Sequence, residues 1–177
     1  TGGGRAKTQG DKLAMVHLDR NHKETRFTFK QISKASNRVA NYLRSAGIRK
    51  GDRVMLILRR HYQFWLCMIA LHKIGAIVIP ATNQLVEHDL TYRFNAAGVS
   101  AIICTGLGDI TKQVELAEMQ SPTLKHKFIV EGQKDGWRDF DSEYKVFSSV
   151  FERTEDSIKG DEIGRAVQQE CRDRYRM

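Results

Sequence analysis

The sequence has few cysteines and no long apolar run. Its three cysteines stand at positions 67, 104 and 171, without the spacing of a metal site, and the first two lie inside apolar runs. Reduced thiols in the core of a cytoplasmic protein are therefore expected, not a disulfide framework. The longest apolar run, Phe64 to Leu71, is much shorter than the about 20 residues that cross a membrane, so we expect no transmembrane segment.

Both ends of the sequence lack recognisable structural patterns. The start, residues 1–8, is polar, without an initiator methionine or a signal peptide, which indicates an internal beginning. Residues 162–177 have no apolar periodicity and resemble the translated read-through of a common sequencing adapter, with Tyr175 where serine is usual. We interpret residues 1–161 as the folded part and residues 162–177 as a non-native tail. The alternative is a genuine basic helical tail.

The sequence carries an excess of positive charge, +8 at pH 7. The tail contributes little of it, because its four arginines accompany three acidic residues. In the rest of the chain, lysines and arginines flank apolar runs, as solvated faces do, and no zinc-finger or RNA-recognition signature occurs. We expect no nucleic-acid binding; a nucleic-acid binder would lose affinity steeply as salt rises.

A strand, a helix and a second strand follow one another in the middle of the sequence. Val54 to Leu58 is typical of a strand buried on both faces, and Tyr62 to Lys73 is apolar nearly all round, as a buried helix is. Gly75 ends the helix, and Pro80 ends the strand that begins at Ile77. This order predicts a βαβ unit.

The same alternation continues on both sides of this unit. A capping-box pattern at Thr28 to Gln31 starts a helix that ends at Gly47. The segment from Trp137 to Ser149 is ambiguous. Further strands are predicted at Leu13–Leu18, Thr25–Phe29, Ser100–Thr105 and Lys127–Glu131, and further helices at Asp89–Ala97 and Asp109–Met119. Repeated strand-then-helix order predicts an α/β fold with a mainly parallel sheet flanked by helices on both faces.

Several motifs resemble one enzyme family. Arg26–Ile32 and Leu71–Thr82 resemble two core motifs of AMP-forming acyl-CoA synthetases, within the adenylate-forming superfamily. Arg59–Trp65, Asp89–Arg93 and Gly136–Asp141 are similar to the medium-chain branch of that family. The resemblance extends over about residues 11–161, which makes residues 1–161 an incomplete, N-terminal portion of the family's large AMP-binding domain.

The resemblance implies a ligase reaction for the parent protein. A fatty acid and ATP give an acyl-adenylate and pyrophosphate, and coenzyme A then displaces AMP, with Mg²⁺ assisting. The implied location is the cytoplasm or the mitochondrial matrix. The family's Gly/Ser/Thr-rich phosphate loop, its ribose-binding acid and its catalytic lysine do not occur in this sequence. No catalytic, cofactor-binding or metal-ligating residue can therefore be assigned. We expect the chain alone to be inactive, to bind none of these ligands tightly, and to require the missing remainder of its own domain as a partner.

An alternative function rests on the stretch from Gly106 to Glu131. The turn at Gly106–Gly108 follows a predicted strand and precedes a predicted helix, and Glu131 lies about twenty residues further on, as in a dinucleotide-binding fingerprint. Thr111 stands where the third glycine should be. The alternative is a stand-alone, Rossmann-like nucleotide-binding module.

Isolated polar residues give weaker indications. The six histidines show no metal-binding pair at helical or finger spacing. His72 ends a buried helix, so we expect a packed, hydrogen-bonded side chain and not a base. Asp139 and Asp141 are predicted to cap and flank a following helix.

Overall fold

The computed structural model describes residues 9–153, which begin with a short 3₁₀ turn at Gln9–Asp11. A hairpin follows, made of β1 (Leu13–Leu18) and the antiparallel β2 (Glu24–Thr28), and it leads into α1 (Phe29–Ser45). The predicted capping box starts α1: the backbone N–H of Gln31 donates to Thr28 Oγ1 at 3.2 Å, and the N–H of Thr28 donates to Gln31 Oε1 at 2.8 Å.

A five-stranded sheet with the order β4-β3-β5-β6-β7 forms the centre of the described part, and all of its pairings are parallel. Its elements are β3 (Arg53–Ile57), α2 (Gln63–Ile74), β4 (Ile77–Pro80), α3 (Glu87–Ala97), β5 (Ala101–Thr105), α4 (Ile110–Glu118), β6 (His126–Val130), β7 (Arg138–Asp139) and α5 (Phe140–Glu143). The predicted α/β fold is therefore confirmed, with bounds shifted by one or two residues at most elements.

Alternate residues of β3 point into two separate cores. Val54 and Leu56 pack in the core under α1, α2 and α5, whereas Met55 and Ile57 pack in the core under α3 and α4. All four side chains are fully buried. A strand covered on both faces has no polar side to show, which is why it is a continuous apolar run in the sequence.

The helix ends follow the predicted glycines. Gly75 and Gly98 take left-handed backbone conformations directly after α2 and α3, with φ of 85° and 61°. The ambiguous segment resolves into three short pieces: β7, the single-turn α5, and a 3₁₀ turn at Tyr144–Val146. The predicted tail, residues 162–177, lies outside the described residues.

The sheet reverses its direction of growth beside β3. The chain passes from β3 to β4 on one side and then returns to place β5 on the other side. The connections that leave the carboxyl ends of β3 and β5 diverge, and such a reversal opens a crevice where α/β proteins bind ligands. Within residues 9–153, no helix combines the length and apolar character that a membrane crossing requires.

Candidate functional site

A crevice of about 610 Å³ lies at the carboxyl ends of the parallel strands, beside the reversal between β3 and β5. The segments after β3, β5 and β6 form its floor, and the turn of the β1–β2 hairpin forms one wall. Its lining residues are His17, Leu18, Asp19, Arg20, His22, Arg59, Arg60, His61, Asn83, Gln84, Leu107 and Glu131.

His61 joins the ends of three strands at the base of this crevice. Its Nε2 lies 2.8 Å from Thr105 Oγ1, and its Nδ1 lies 3.2 Å from Glu131 Oε1. An ionised carboxylate can only accept hydrogen bonds, so Nδ1 carries the proton that points to Glu131. Thr105 Oγ1 in turn accepts from the backbone N–H of Leu107 at 3.1 Å. The ring is thereby held in one orientation.

Three residues of the crevice have unusual backbone conformations. His22, Arg60 and Glu131 have φ of 59°, 63° and 55°, in the left-handed region that side chains seldom adopt. They are all the non-glycine residues with positive φ in the described part of the chain, and all three line the crevice. Such conformations persist only where surrounding contacts enforce them, and they concentrate at functional sites.

Hydrogen bonds hold two of these residues, Glu131 and His22, in place. The N–H of Glu131 donates to Asp141 Oδ2 at 2.7 Å, and the N–H of His22 donates to the carbonyl of Asp19 at 3.0 Å. The carboxylate of Asp19 also accepts from the N–H groups of Asn21 and Lys23, at 2.8 and 2.9 Å. The rim of the crevice is therefore held by the chain's own hydrogen bonds.

The charge of the crevice favours an anionic ligand. Arg20, Arg59 and Arg60 line it, against the acids Asp19 and Glu131. The carboxylate of Glu131 already faces His61, and that of Asp19 faces backbone N–H groups. Arginines that line a concave wall concentrate field lines and attract phosphates or carboxylates.

The sequence of this chain matches a known protein family. The family described as AMP-binding enzyme matches residues 4–163. This chain belongs to the AMP-binding enzyme family. Acyl-coenzyme A synthetase ACSM5, mitochondrial, from Rattus norvegicus is 34% identical over 127 residues, which make up 71% of this chain and 22% of that protein. The 4-hydroxybutyrate–CoA ligase 1 of Metallosphaera sedula is 29% identical over 153 residues, or 86% of this chain and 26% of that protein.

Solved structures with the fold of this family match as well. The anthranilate CoA ligase AuaEII in complex with anthranoyl-AMP has a TM-score of 0.74 at 22% identity, covering 84% of this chain and 28% of that one. The Brucella canis acyl-CoA synthetase has a TM-score of 0.71 at 22% identity, covering 84% and 27%. The chain thus spans about a quarter of the length of the proteins it matches.

In this member of the AMP-binding enzyme family, Gly106 serves the packing of two loops. A Cβ atom at position 106 would lie 2.9 Å from both the carbonyl oxygen of Glu131 and the Cα of Gly132. Glu131, the acid of the stretch that resembles a dinucleotide-binding fingerprint, faces His61 with its carboxylate. Thr111, which stands where the third glycine of that fingerprint should be, is buried in the first turn of α4. The alternative nucleotide-binding module stays a prediction, which a titration of the chain with NAD and ATP would test.

The two aspartates singled out in the sequence have different roles. Asp139 caps α5 as predicted, accepting from the N–H of Ser142 at 3.4 Å. Asp141 does more than flank that helix, because its carboxylate accepts from Gln63 Nε2 at 2.9 Å and from the N–H of Glu131. It therefore ties α2 and α5 to the base of the crevice. His72 lies in the last turn of α2, as predicted.

His61 is the functional candidate that the sequence did not single out. In the sequence, His61 has no partner at metal-ligand spacing. A different signal was present: it follows a buried strand by four residues, at the carboxyl edge where the sheet reverses. Thr105 and Glu131 also lie at the carboxyl edge of the sheet: Thr105 is the last residue of β5, and Glu131 directly follows β6.

Proposed function

We propose that this chain is part of an AMP-forming acyl-CoA ligase. The parent joins a carboxylic acid, a medium-chain or related fatty acid, to coenzyme A through an acyl-adenylate, with release of AMP and pyrophosphate. The family match over residues 4–163 is the observation that carries this proposal. Relatives named as acyl-CoA synthetases and CoA ligases support it. We also propose a location in the cytoplasm or the mitochondrial matrix; the ACSM5 relative is named as mitochondrial.

The proposal assigns residues 1–161 to the N-terminal portion of the large AMP-binding domain. The family match ends at residue 163, close to the boundary that the sequence indicates. We propose that residues 162–177 are not native to the parent protein. The crevice at the carboxyl edge is then one wall of a ligand site that the rest of the domain completes.

The role of the crevice in this ligase follows from its charges. Arg20, Arg59 and Arg60 attract the phosphate-bearing substrates, ATP and coenzyme A, and the fixed His61 keeps the loops after β3, β5 and β6 in register. Within residues 9–153, no group of three or more His, Cys, Asp or Glu side chains could hold a metal ion. We assign no step to Mg²⁺ here.

A pyrophosphate-release assay tests whether this chain alone is inactive. The purified 177-residue chain, given ATP, Mg²⁺ and octanoate, should release no more pyrophosphate than a heat-killed sample, because the family's phosphate loop and catalytic lysine are absent from its sequence. Release that depends on octanoate would contradict the proposal that the chain alone is inactive.

A further inference from the structure

The amino edge of the parallel sheet lies opposite the crevice and gathers exposed positive charge. Four connections between helices and strands meet there: residues 46–52 before β3, 75–76 before β4, 98–100 before β5 and 119–125 before β6. We refer to the surface that they form with the first residues of these strands as the amino-edge face. Backbone hydrogen bonds hold its parts side by side: the N–H of Ser100 donates to the carbonyl of Arg53 at 2.9 Å, and the N–H of Lys125 donates to that of Ser100 at 2.8 Å.

The charge of the amino-edge face is strongly positive. Its four exposed cations are Arg49, Lys50, Arg53 and Lys125. The four connections contain a single acid, Asp52, and its carboxylate already accepts from the N–H of Arg49 at 2.7 Å. Arg138, at the start of β7, is paired with Glu143 at 2.9 Å and adds no net charge. Residues 154–177 carry six acidic and five basic side chains, so their net charge is too small to cancel this excess.

Two apolar side chains are exposed on the same face. Met119, directly after α4, is 83% exposed, and Ile77, the first residue of β4, is 49% exposed. Ile77 is the partner of Arg53 in the sheet register, and Met119 begins the connection that ends with Lys125. Each of the two apolar side chains therefore shares a short stretch of the edge with a cation.

The composition of the amino-edge face favours a lipid surface over a protein or a nucleic acid. Protein interfaces are enriched in tyrosine, tryptophan and phenylalanine and depleted in lysine. The four connections contain none of these aromatic residues, and two of the four exposed cations are lysines. Proteins that bind single-stranded nucleic acids also stack the bases on aromatic side chains. Exposed cations beside a few apolar side chains match the head-group region of a bilayer that contains anionic lipids.

We propose that the amino-edge face binds the surface of a membrane rich in anionic lipids, with Arg53 and Lys125 against the head groups and Met119 inserted between the lipids. The crevice lies at the opposite edge of the same sheet, so it stays open to solution when the chain is bound to the membrane. This proposal does not depend on the ligase reaction or on the ligand of the crevice.

Co-sedimentation of the full 177-residue chain with lipid vesicles tests this proposal. Vesicles of phosphatidylcholine with about 30% phosphatidylglycerol should bind the chain, and vesicles of phosphatidylcholine alone should bind it at least about tenfold more weakly, because they lack the negative surface potential. Binding to the anionic vesicles should fall as salt rises from about 0.01 M to about 1 M, because the Debye length shortens from about 30 Å to about 3 Å.

Variants with matched charge locate the site. Each Lys or Arg beside an anionic surface contributes about fivefold to affinity, so Arg53→Gln combined with Lys125→Gln should weaken binding to the anionic vesicles about 25-fold. Lys30→Gln combined with Lys34→Gln removes the same charge from exposed positions in the first part of α1, and should change binding less than about threefold, since distant charges are screened. Met119→Ser keeps the charge and should weaken binding about threefold or more. Circular dichroism of each variant checks that it is folded.

Three results would overturn the proposal. One is equal binding to vesicles with and without the anionic lipid. Another is equal weakening by the two double variants, which would mean that net charge alone attracts the chain. The third is binding of polyuridylate that Arg53→Gln with Lys125→Gln weakens as strongly as it weakens vesicle binding, which would make the face a general polyanion site. Because no assay in this series contains ATP, coenzyme A or a fatty acid, its failure would leave the ligase proposal standing.

Discussion

Position 106 has no room for a side chain. A Cβ atom there would lie 2.9 Å from backbone atoms of both Glu131 and Gly132, and backbone atoms cannot turn aside as a flexible side chain can. The loops after β5 and β6 therefore need glycine at their contact. This contact holds Glu131 in the position from which its carboxylate reaches His61.

We expect Gly106→Ala to destabilise the chain by about 1–3 kcal/mol, the usual cost of overpacking. Gly10→Ala is the matched control, because its added Cβ would meet only an ordinary contact at 3.5 Å. The control should change the free energy of unfolding by less than about 0.5 kcal/mol. Urea unfolding of the three proteins measures both values, and equal stabilities for Gly106→Ala and wild type would show that the loops are not in contact.

The two described cysteines are buried and free, as the sequence predicts. Burial raises the pKa of the Cys104 thiol to about 12, and it raises the pKa of Cys67 well above its usual range, with the charge of Asp141 adding to the effect. A thiol with a raised pKa in the folded state keeps its proton, while the same thiol in the unfolded chain loses it near pH 8.5. Its contribution to stability is therefore present below that pH and lost above it.

We therefore expect the free energy of unfolding of the wild type to fall between pH 8.5 and 10. The part of this fall that comes from the thiol of Cys104 should be missing in Cys104→Ala. For one thiol this contribution is up to about 1.4 kcal/mol per pH unit. The lowered pKa of Lys73 changes the free energy of unfolding in the opposite direction. This effect is the same in wild type and Cys104→Ala, so it cancels when the pH dependence of their unfolding free energies is compared. Identical slopes for Cys104→Ala and wild type would mean that the thiol of Cys104 titrates in the folded state.

At the scale of the elements, side chains of α1 hold the last described segment of the chain by hydrogen bonds. Asn37 Nδ2 donates to the carbonyl of Ser149, and Asn41 Nδ2 donates to those of Ser148 and Val150, each at 2.9 Å. Arg38 donates to the carbonyl of Phe147. These residues lie on consecutive turns of one helix, so α1 presents a row of side-chain donors to a segment that lacks regular structure.

Asn41→Ala should open this segment. The variant loses two hydrogen bonds, each worth about 0.5–1.5 kcal/mol, so amide exchange in residues 144–151 should become several-fold to about a hundredfold faster. Asn95→Ala is a control of the same size, because Asn95 donates to the carbonyls of Thr91 and Gln120 between α3 and α4. It should leave exchange in residues 144–151 unchanged. Equal exchange in both variants would contradict the role of α1.

The sequence predicted most of these elements for identifiable reasons. The buried strands are uninterrupted apolar runs, the glycines after α2 and α3 mark left-handed turns, and the capping box sets the start of α1. The segment from Trp137 to Ser149 could not be assigned. The end of this segment is held by hydrogen bonds from Asn37, Asn41 and Arg38, which lie more than a hundred positions earlier in the chain, and local periodicity cannot reveal such contacts.

The candidate site was less predictable than the fold for the same reason. His61 and Thr105 are 44 positions apart in the sequence, and Glu131 is further away still. Only the order of the strands brings the three residues together. The family resemblance predicted the overall reaction class but pointed to motifs that this sequence does not contain. The hydrogen bond from Lys73 to Ser36 also depends on long-range packing, since the two residues come from different helices.

At the scale of the whole molecule, the described part of the chain has three layers. Two cores lie on opposite faces of one parallel sheet, and the crevice is open at its carboxyl edge. The chain nevertheless spans about a quarter of the length of the proteins it matches. We therefore propose that it is a scaffold that supplies one wall of an acyl-CoA ligase site, with the chemistry carried by parts of the parent that this sequence does not contain.

Sequencing the genomic DNA of the source across codon 161 tests this view most directly. We expect the reading frame to continue beyond that codon into a stretch rich in Thr, Ser and Gly that contains a lysine, in place of residues 162–177. A natural stop codon directly after Met177, preceded by codons for the 16 residues of the tail, would contradict it.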